Sequence, residues 1–357
     1  MKNIKKYVNE YISPIQYMVL IIFLSRSFYS GIGFLNILLS SKYDTWLSLI
    51  IGFILGFIPI LILIYLNKKN INLFEIINSK IIKFIIMLFL IFSFTILLND
   101  FINFSGVKYL FETSNIFIAC LIILPAFYIV NKGVETIGRS ALFMFYISAI
   151  LFISIIIGLI SYIDFNNLKP MFTTNIISIL KSSLQFISYS IAPIILLNII
   201  PKNDLIKEEY NKNLLIGYTI SSISIIIIMI IITTVFNYEY ISLFNYPAYF
   251  LLKKIDFNFI SNIENIYSLF FIIDYFYSIL VYMYIIKYYL KKEYNLINNK
   301  LEIIYIISII LLVYISVFGY ENINIVHLIT NDLLHVILMI FIIFFIFISL
   351  IIKKKNS

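Results

Sequence analysis

The sequence predicts an all-α polytopic membrane protein of ten transmembrane helices in a single membrane domain spanning residues 1–357, and three observations predict it. Hydrophobic residues make up 62% of the chain and charged residues only 12%, far below the roughly 25% charged residues of a soluble domain. Ten apolar stretches are each long enough, at about 20 residues, to cross a hydrocarbon core of about 30 Å. The basic residues alternate in density from one link to the next, as they do when cytoplasmic loops hold the excess of Lys and Arg.

The spans fall at about 14–38, 46–66, 82–107, 115–131, 141–162, 176–200, 214–236, 261–286, 302–318 and 328–352. With the N-terminus in the cytoplasm, the inside segments hold nineteen basic residues, from Lys2, Lys5 and Lys6 to the Lys353–Lys355 tail, and the outside segments hold six: Lys42, Lys108, Lys169, Lys181, Lys253 and Lys254. An odd number of helices would put the Lys353–Lys355 tail on the wrong side, so the split supports ten with both termini cytoplasmic. The formal charge of +8 thus reports topology and not affinity for nucleic acid.

The first element, MKNIKKYVNEYISP and the run behind it, is positive and then apolar. Its apolar part is too long for a signal peptide and lacks a small-residue cleavage site, so it reads as a retained helix. Inside it lies SFYSGIGFL, residues 27–35, with Arg26 directly before and Gly31 and Gly33 among only ten glycines. In hydrocarbon every backbone N–H and C=O needs a partner, so irregular backbone occurs only where it is buried or lines a cavity. The stretch reads as a break in the first helix; the bland alternative is two glycines that permit close packing, as Gly52 and Gly56 in the second span are expected to do. Cys120, the single cysteine, lies in the fourth span and offers no disulfide framework. In the sixth span, Ser188, Tyr189 and Ser190 precede Pro193, whose ring clashes with the carbonyl four residues back, that of Tyr189. This predicts a second break. If the helices form two repeats of five, about 14–162 and 176–352, helices one and six are equivalent, and interrupted helices at matching places point to a binding site near the midplane. A half-helix N-terminus there favours an anionic group such as a carboxylate. Residues 71–83 and 237–260 read as short interfacial helices or loops.

Five stretches together resemble the B subunit of spore germinant receptors, the spore germination permease family of the amino acid/polyamine/organocation superfamily. They are ISPIQ at 12–16, GIGFL at 31–35, NKGVETIGR at 131–139, IDFNNLKP at 163–170 and YEYISLFNYPAYFLLKKID at 238–256. Their order and spacing match over essentially the whole chain. The resemblance implies a LeuT-like five-plus-five inverted-repeat fold with helices one and six discontinuous. It also implies residence in the inner membrane of a spore, among membrane lipids, and binding of a small germinant, typically an amino acid. It further implies partnership with a germinant receptor A subunit and a lipoprotein C subunit. The apolar filling around the break and Arg26 depart from the family pattern.

An ionisable group at the bilayer centre costs about 2.5–3.5 kcal/mol on insertion scales, so each one marks a candidate site. Arg26 in helix one and Asp274 in helix eight lie near mid-span. In the fold that the resemblance implies, these helices touch beside the site, where sodium-coupled relatives hold a cation. One reading is an intramembrane ion pair with the guanidinium in the cation's place; another is that Asp274 takes the germinant's ammonium while Arg26 turns to the interface. The ligand-binding candidates are Ser30, Gly31, Ile32, Gly33, Thr95, Tyr189, Ser190 and Asp274, a mixture suited to a zwitterionic amino acid. Asn99 and Asp100 read as a vestibule or interface position, Glu135 and Arg139 as a helix-end pair, and Asp332 with His335 as an outer-interface position. No catalytic residues, metal-ligand spacing, phosphate loop or cofactor motif stands out, so the chain is expected to be no enzyme, to hold no cofactor or metal, and to bind no nucleic acid. A membrane glycan polymerase would need a large outer loop with catalytic basic residues, and the longest here has about 24 residues and no arginine. An amino acid transporter of the same superfamily is the alternative to a germinant sensor.

Overall fold

The computed structural model describes residues 11–68, 80–200, 202, 206–255, 263–294, 298–319, 337 and 340. Among these the chain is helical, without strands, and seven segments are long and apolar enough to cross a membrane. Two shorter apolar helices, Pro14–Ser27 and Asn115–Asn131, accompany them.

The first span is two helices, α1 (Pro14–Ser27) and α2 (Ile32–Ser41), joined by a 3-10 turn at Phe28–Ser30 and by Gly31. The ISPIQ stretch explains where α1 starts. Ser13 is its N-cap, Pro14 takes the first helical position, and Gln16 completes a capping box by accepting from the Ser13 N–H at 2.9 Å. Each bond satisfies an N–H that a helix start leaves without an internal partner.

The remaining helices follow the predicted order: α3 (Thr45–Lys68), α4 (Lys80–Lys108), α5 (Asn115–Asn131), α6 (Val134–Leu159), α7 (Ile176–Leu197) and α8 (Lys207–Val235). Two short helices, α9 (Tyr238–Ile241) and α10 (Pro247–Leu252), occupy the long link, and after the single turn α11 (Glu264–Tyr267) come α12 (Leu269–Tyr294) and α13 (Asn298–Phe318). The predicted tenth span, with Asp332 and His335, lies outside the described residues, as does most of the 71–83 link.

Helix α1 is central, packing against α6, α7, α8 and α12. Helix α7 is buried on all sides from Gln185 to Leu197, which marks a helix enclosed by others. By contrast α6 turns Phe143, Tyr146, Ile150, Ile153 and Ile157 outward. That spacing of three and four residues is one helix face, and an exposed apolar face is what lipid requires. The second span packs closely on α7 and α8, since a Cβ on Gly52 would stand 2.8 Å from Phe186 Cδ1 and one on Gly56 2.0 Å from the Tyr218 hydroxyl.

One expectation fails. The sixth span has no midplane interruption: α7 runs unbroken through Tyr189 and Pro193 to Leu197. Hydroxyl groups from the first span do bond to this helix, Ser25 Oγ donating to the Ser190 carbonyl at 3.1 Å and the Tyr29 hydroxyl to the Phe186 carbonyl at 2.9 Å, although neither is the Tyr189 carbonyl that Pro193 deprives of its helical donor. The irregular backbone is therefore confined to one side of the site, between α1 and α2.

Candidate ligand site at the break in the first span

Two close approaches hold the break open. A Cβ on Gly33 would lie 2.3 Å from the Phe28 carbonyl oxygen, so the chain can fold back over its own 3-10 turn only with glycine there. A Cβ on Gly31 would lie 2.3 and 2.5 Å from the two carboxylate oxygens of Asp100, delivered by α4. Asp100 is 2% exposed, and its Oδ2 accepts from the Tyr275 hydroxyl at 2.6 Å. The sequence reading placed Asp100 at a vestibule or interface; the structure puts it against the break. The signal that would have found it is a second acidic residue in an apolar span, which is costly wherever it is not held by polar partners.

One turn before the break, Arg26 Nη2 meets Asp274 Oδ1 at 2.6 Å and also donates to Ser148 Oγ at 2.9 Å. The two side chains are 6% and 1% exposed. The guanidinium carbon lies 4.5 Å from the centre of the Phe270 ring, an arrangement that suits a planar cation. Arg26 Nε and Asp274 Oδ2 are buried and have no hydrogen-bond partner among the described residues.

A cavity of about 10 Å³ adjoins this pair, lined by Arg26, Tyr29, Phe34, Ile225, Phe270 and Asp274, among others. Such a volume holds roughly one water molecule. An amino acid needs more room than this.

The structure brings Gly31, Gly33, Tyr189, Ser190 and Asp274 to this region. Tyr189 stacks on Phe28, with ring centres 5.3 Å apart, and meets Tyr29 edge-on at 6.1 Å. Ser190 Oγ is 2.8 Å from the Tyr29 hydroxyl. The Thr95 hydroxyl donates to the Phe92 carbonyl of its own helix at 3.0 Å; of the ligand-binding candidates only Asp274 is among the residues that line the cavity. The backbone of Ser30 and Ile32 borders the break, while their side chains lie outside the described residues. Glu135 and Arg139 form an exposed i,i+4 pair at 2.5 Å, of the kind that contributes little.

Other stretches quoted from the sequence meet in space. Gln16 packs against Gly138, where a Cβ would stand 2.7 Å from Gln16 Oε1, joining ISPIQ to NKGVETIGR. Asn167 of IDFNNLKP donates to the Thr234 carbonyl at 2.8 Å.

A polytopic helical membrane protein with an interrupted central helix and a buried, charged pair beside it is the class these features define. The chain belongs to the family of spore germination proteins, whose family model matches residues 11–326. No curated protein sequence matches it.

Proposed function

We propose that this protein is the B subunit of a spore germinant receptor, binding a small zwitterionic germinant, an amino acid, beside the break in its first span. It passes the binding event to A and C subunits in the spore inner membrane. The observation that carries this reading is the buried pair next to the break: Asp274 lines the cavity, with one carboxylate oxygen on Arg26 and a second that is buried and has no partner among the described residues. An ammonium group is the natural partner for that oxygen, because a buried acceptor left unmade costs about 1–3 kcal/mol. Binding there draws on the charge that holds Arg26, so occupancy is coupled to the contact between helices one and eight. A cavity of about one water must widen to admit an amino acid, and that widening is the movement the partner subunits would read. Ten helices in a five-plus-five arrangement, with both termini cytoplasmic, complete the proposal. Gly31, Gly33, Tyr189 and Ser190, with the backbone of Ser30 and Ile32, would line the widened site, and Thr95 would come to it only if α4 moves.

The test is germination of spores carrying this subunit against a panel of amino acids and nucleosides, repeated with Gly31→Leu. A response to one or a few amino acids, lost in the variant while the protein stays in the membrane, supports the reading. A response that Gly31→Leu leaves intact ends it. The same site would serve an amino acid transporter, and substrate flux into proteoliposomes, absent for a sensor, separates the two.

A further inference from the structure

The buried pair beside the break is a half-made fork. The Nε–H and Nη2 donors share one edge of a guanidinium, and a carboxylate can take both at once, one on each oxygen. Here Nη2 of Arg26 bonds Asp274 Oδ1 at 2.6 Å. Arg26 Nε and Asp274 Oδ2, the other two atoms of such a fork, are buried and have no hydrogen-bond partner among the described residues. They are a donor and an acceptor on groups of opposite charge, and both residues line the same cavity. Nη2 also donates to Ser148 Oγ at 2.9 Å, a second anchor that holds the guanidinium in place.

The rest of that lining is apolar or already bonded. Phe34 of α2, Ile225 and Ile228 of α8, and Phe270 and Phe271 of α12 are all buried. The Tyr29 hydroxyl donates to the Phe186 carbonyl. Pockets of this composition fix a ligand's orientation through a few polar groups and cover the remainder with apolar surface. A polar side chain that entered would lose its water and gain no partner in return.

We infer that Arg26 is a carboxylate receptor as well as the partner of Asp274: the germinant enters the open half of the fork, its carboxylate on Arg26 Nε and its ammonium on Asp274 Oδ2, with an aliphatic side chain among Phe34, Ile225 and Ile228. This rests on the reading of the cavity as the germinant site and deepens it, adding the carboxylate's partner and the class of side chain. The two charged groups of an α-amino acid share one carbon, which suits two atoms of one opened fork. A ligand with a single charge satisfies one of these atoms and leaves the other buried and unpaired, which is costly for a charged group.

Calorimetric titration of the purified chain in detergent tests this. The ligands are L-valine and L-leucine, each beside its amine (isobutylamine, isopentylamine) and its acid (3-methylbutanoate, 4-methylpentanoate), and L-asparagine, close to leucine in shape but polar. Amines, acids and asparagine are each expected to bind about tenfold to a hundredfold more weakly than the amino acids, the factor for one hydrogen bond to a charged group or one unsatisfied buried amide. Arg26→Lys keeps a cation for Asp274 and removes the fork. It should bring L-leucine and isopentylamine to within a few-fold of each other while the gap between L-leucine and 4-methylpentanoate persists. A merely loosened fold would weaken all three alike. Ile228→Thr offers a hydroxyl to a polar side chain and should narrow the gap between leucine and asparagine several-fold. Amines that bind as tightly as the amino acids, a leucine-to-amine ratio unchanged in Arg26→Lys, or no binding by either amino acid would overturn the inference. Spores that respond to amino acids while the purified chain fails to distinguish them from amines would leave the germinant reading standing and remove this one. Binding with the expected ratios, in spores that neither amino acid triggers, would support the receptor for a zwitterion and count against the germinant reading.

Discussion

Arg26 and Asp274 are 248 positions apart in the chain, yet they meet at 2.6 Å in a part of the protein that excludes almost all solvent. Two buried charges offset each other's desolvation only when well hydrogen-bonded, and removing one partner typically costs about 3–5 kcal/mol because the other is left buried alone. Ser148 and the rings of Phe270 and Phe23 add to the guanidinium's surroundings, an arrangement that suits arginine better than lysine.

Arg26→Ala and Asp274→Ala are each expected to lower thermal stability by several kcal/mol in detergent, and the Arg26→Asp/Asp274→Arg exchange to recover part of that loss. Arg26→Lys should recover less than the charge count suggests, because an ammonium cannot bond Asp274 and Ser148 while lying flat on Phe270. An exchange no better than the single variants would mean that the pair is not what stabilises this region. Melting curves of the four proteins decide it.

Glycines at the break should behave differently from glycines elsewhere. Gly33→Ala forces a Cβ to within 2.3 Å of the Phe28 carbonyl, and backbone cannot yield cheaply, so a loss of about 1–3 kcal/mol is expected. At Gly106, inside α4, a Cβ would make ordinary contact with Ile118 Cδ1 at 3.5 Å, and alanine should raise stability by about 0.5–1 kcal/mol through reduced backbone entropy. Opposite shifts in melting temperature are the expected outcome. A destabilising Gly106→Ala would indicate tighter packing of α4 on α5 than the distance implies.

The break in the first span could be read from residues 27–35 because both sites of close approach, Gly31 and Gly33, are visible there as glycines, although only the approach of Gly33 to Phe28 is local and Gly31 is met by Asp100 from α4. The start of α1 was legible for the same reason, its capping box lying within ISPIQ. The continuity of α7 was not legible. Pro193 announces a missing N–H, but α7 is enclosed by other elements along this stretch, and the hydroxyls that tie it to the first span, those of Ser25 and Tyr29, come from more than 150 positions away. Asp100 was misplaced because depth in a span, judged from sequence, does not say which neighbour the side chain meets. The role of Asp44 is likewise not legible in the sequence, since its partners are backbone N–H groups far along the chain.

Pro193 accordingly carries a prediction opposite to the one that a broken sixth helix would make. Pro193→Ala supplies the absent N–H to an already continuous helix, so stability should rise, while the amino acid concentration for half-maximal germination stays within a few-fold of wild type. If the spores stop responding although the variant accumulates in the membrane, the proline has a role in movement that the closed state does not reveal. Tyr29→Phe is the companion measurement. It removes the donor to the Phe186 carbonyl and the link to Ser190, and should cost about 1–3 kcal/mol, the usual net worth of two neutral hydrogen bonds.

Asp44 sits in the turn between α2 and α3, fully buried, and its two oxygens accept from the Phe172 N–H at 2.6 Å and the Thr174 N–H at 2.8 Å. Thr174 returns a bond to the Ser41 carbonyl at 2.9 Å, and Trp46 meets the Phe172 ring edge-on. The turn after the broken span thereby holds the loop that leads into α7, with Phe172 in a left-handed backbone conformation at φ 60°. A carboxylate can accept both N–H groups at once, whereas an asparagine has one acceptor oxygen and would present its NH₂ to the second donor. Asp44→Asn is therefore expected to lose about 1.5–3 kcal/mol, the value of a hydrogen bond to a charged group, despite its nearly identical shape. Hydrogen exchange gives the sharpest readout: the amides of Phe172 and Thr174 should lose protection in the variant while those in the middle of α8 keep theirs. Protection unchanged at residues 172 and 174 would show that the loop is held by its aromatic contacts instead, and that the carboxylate is dispensable.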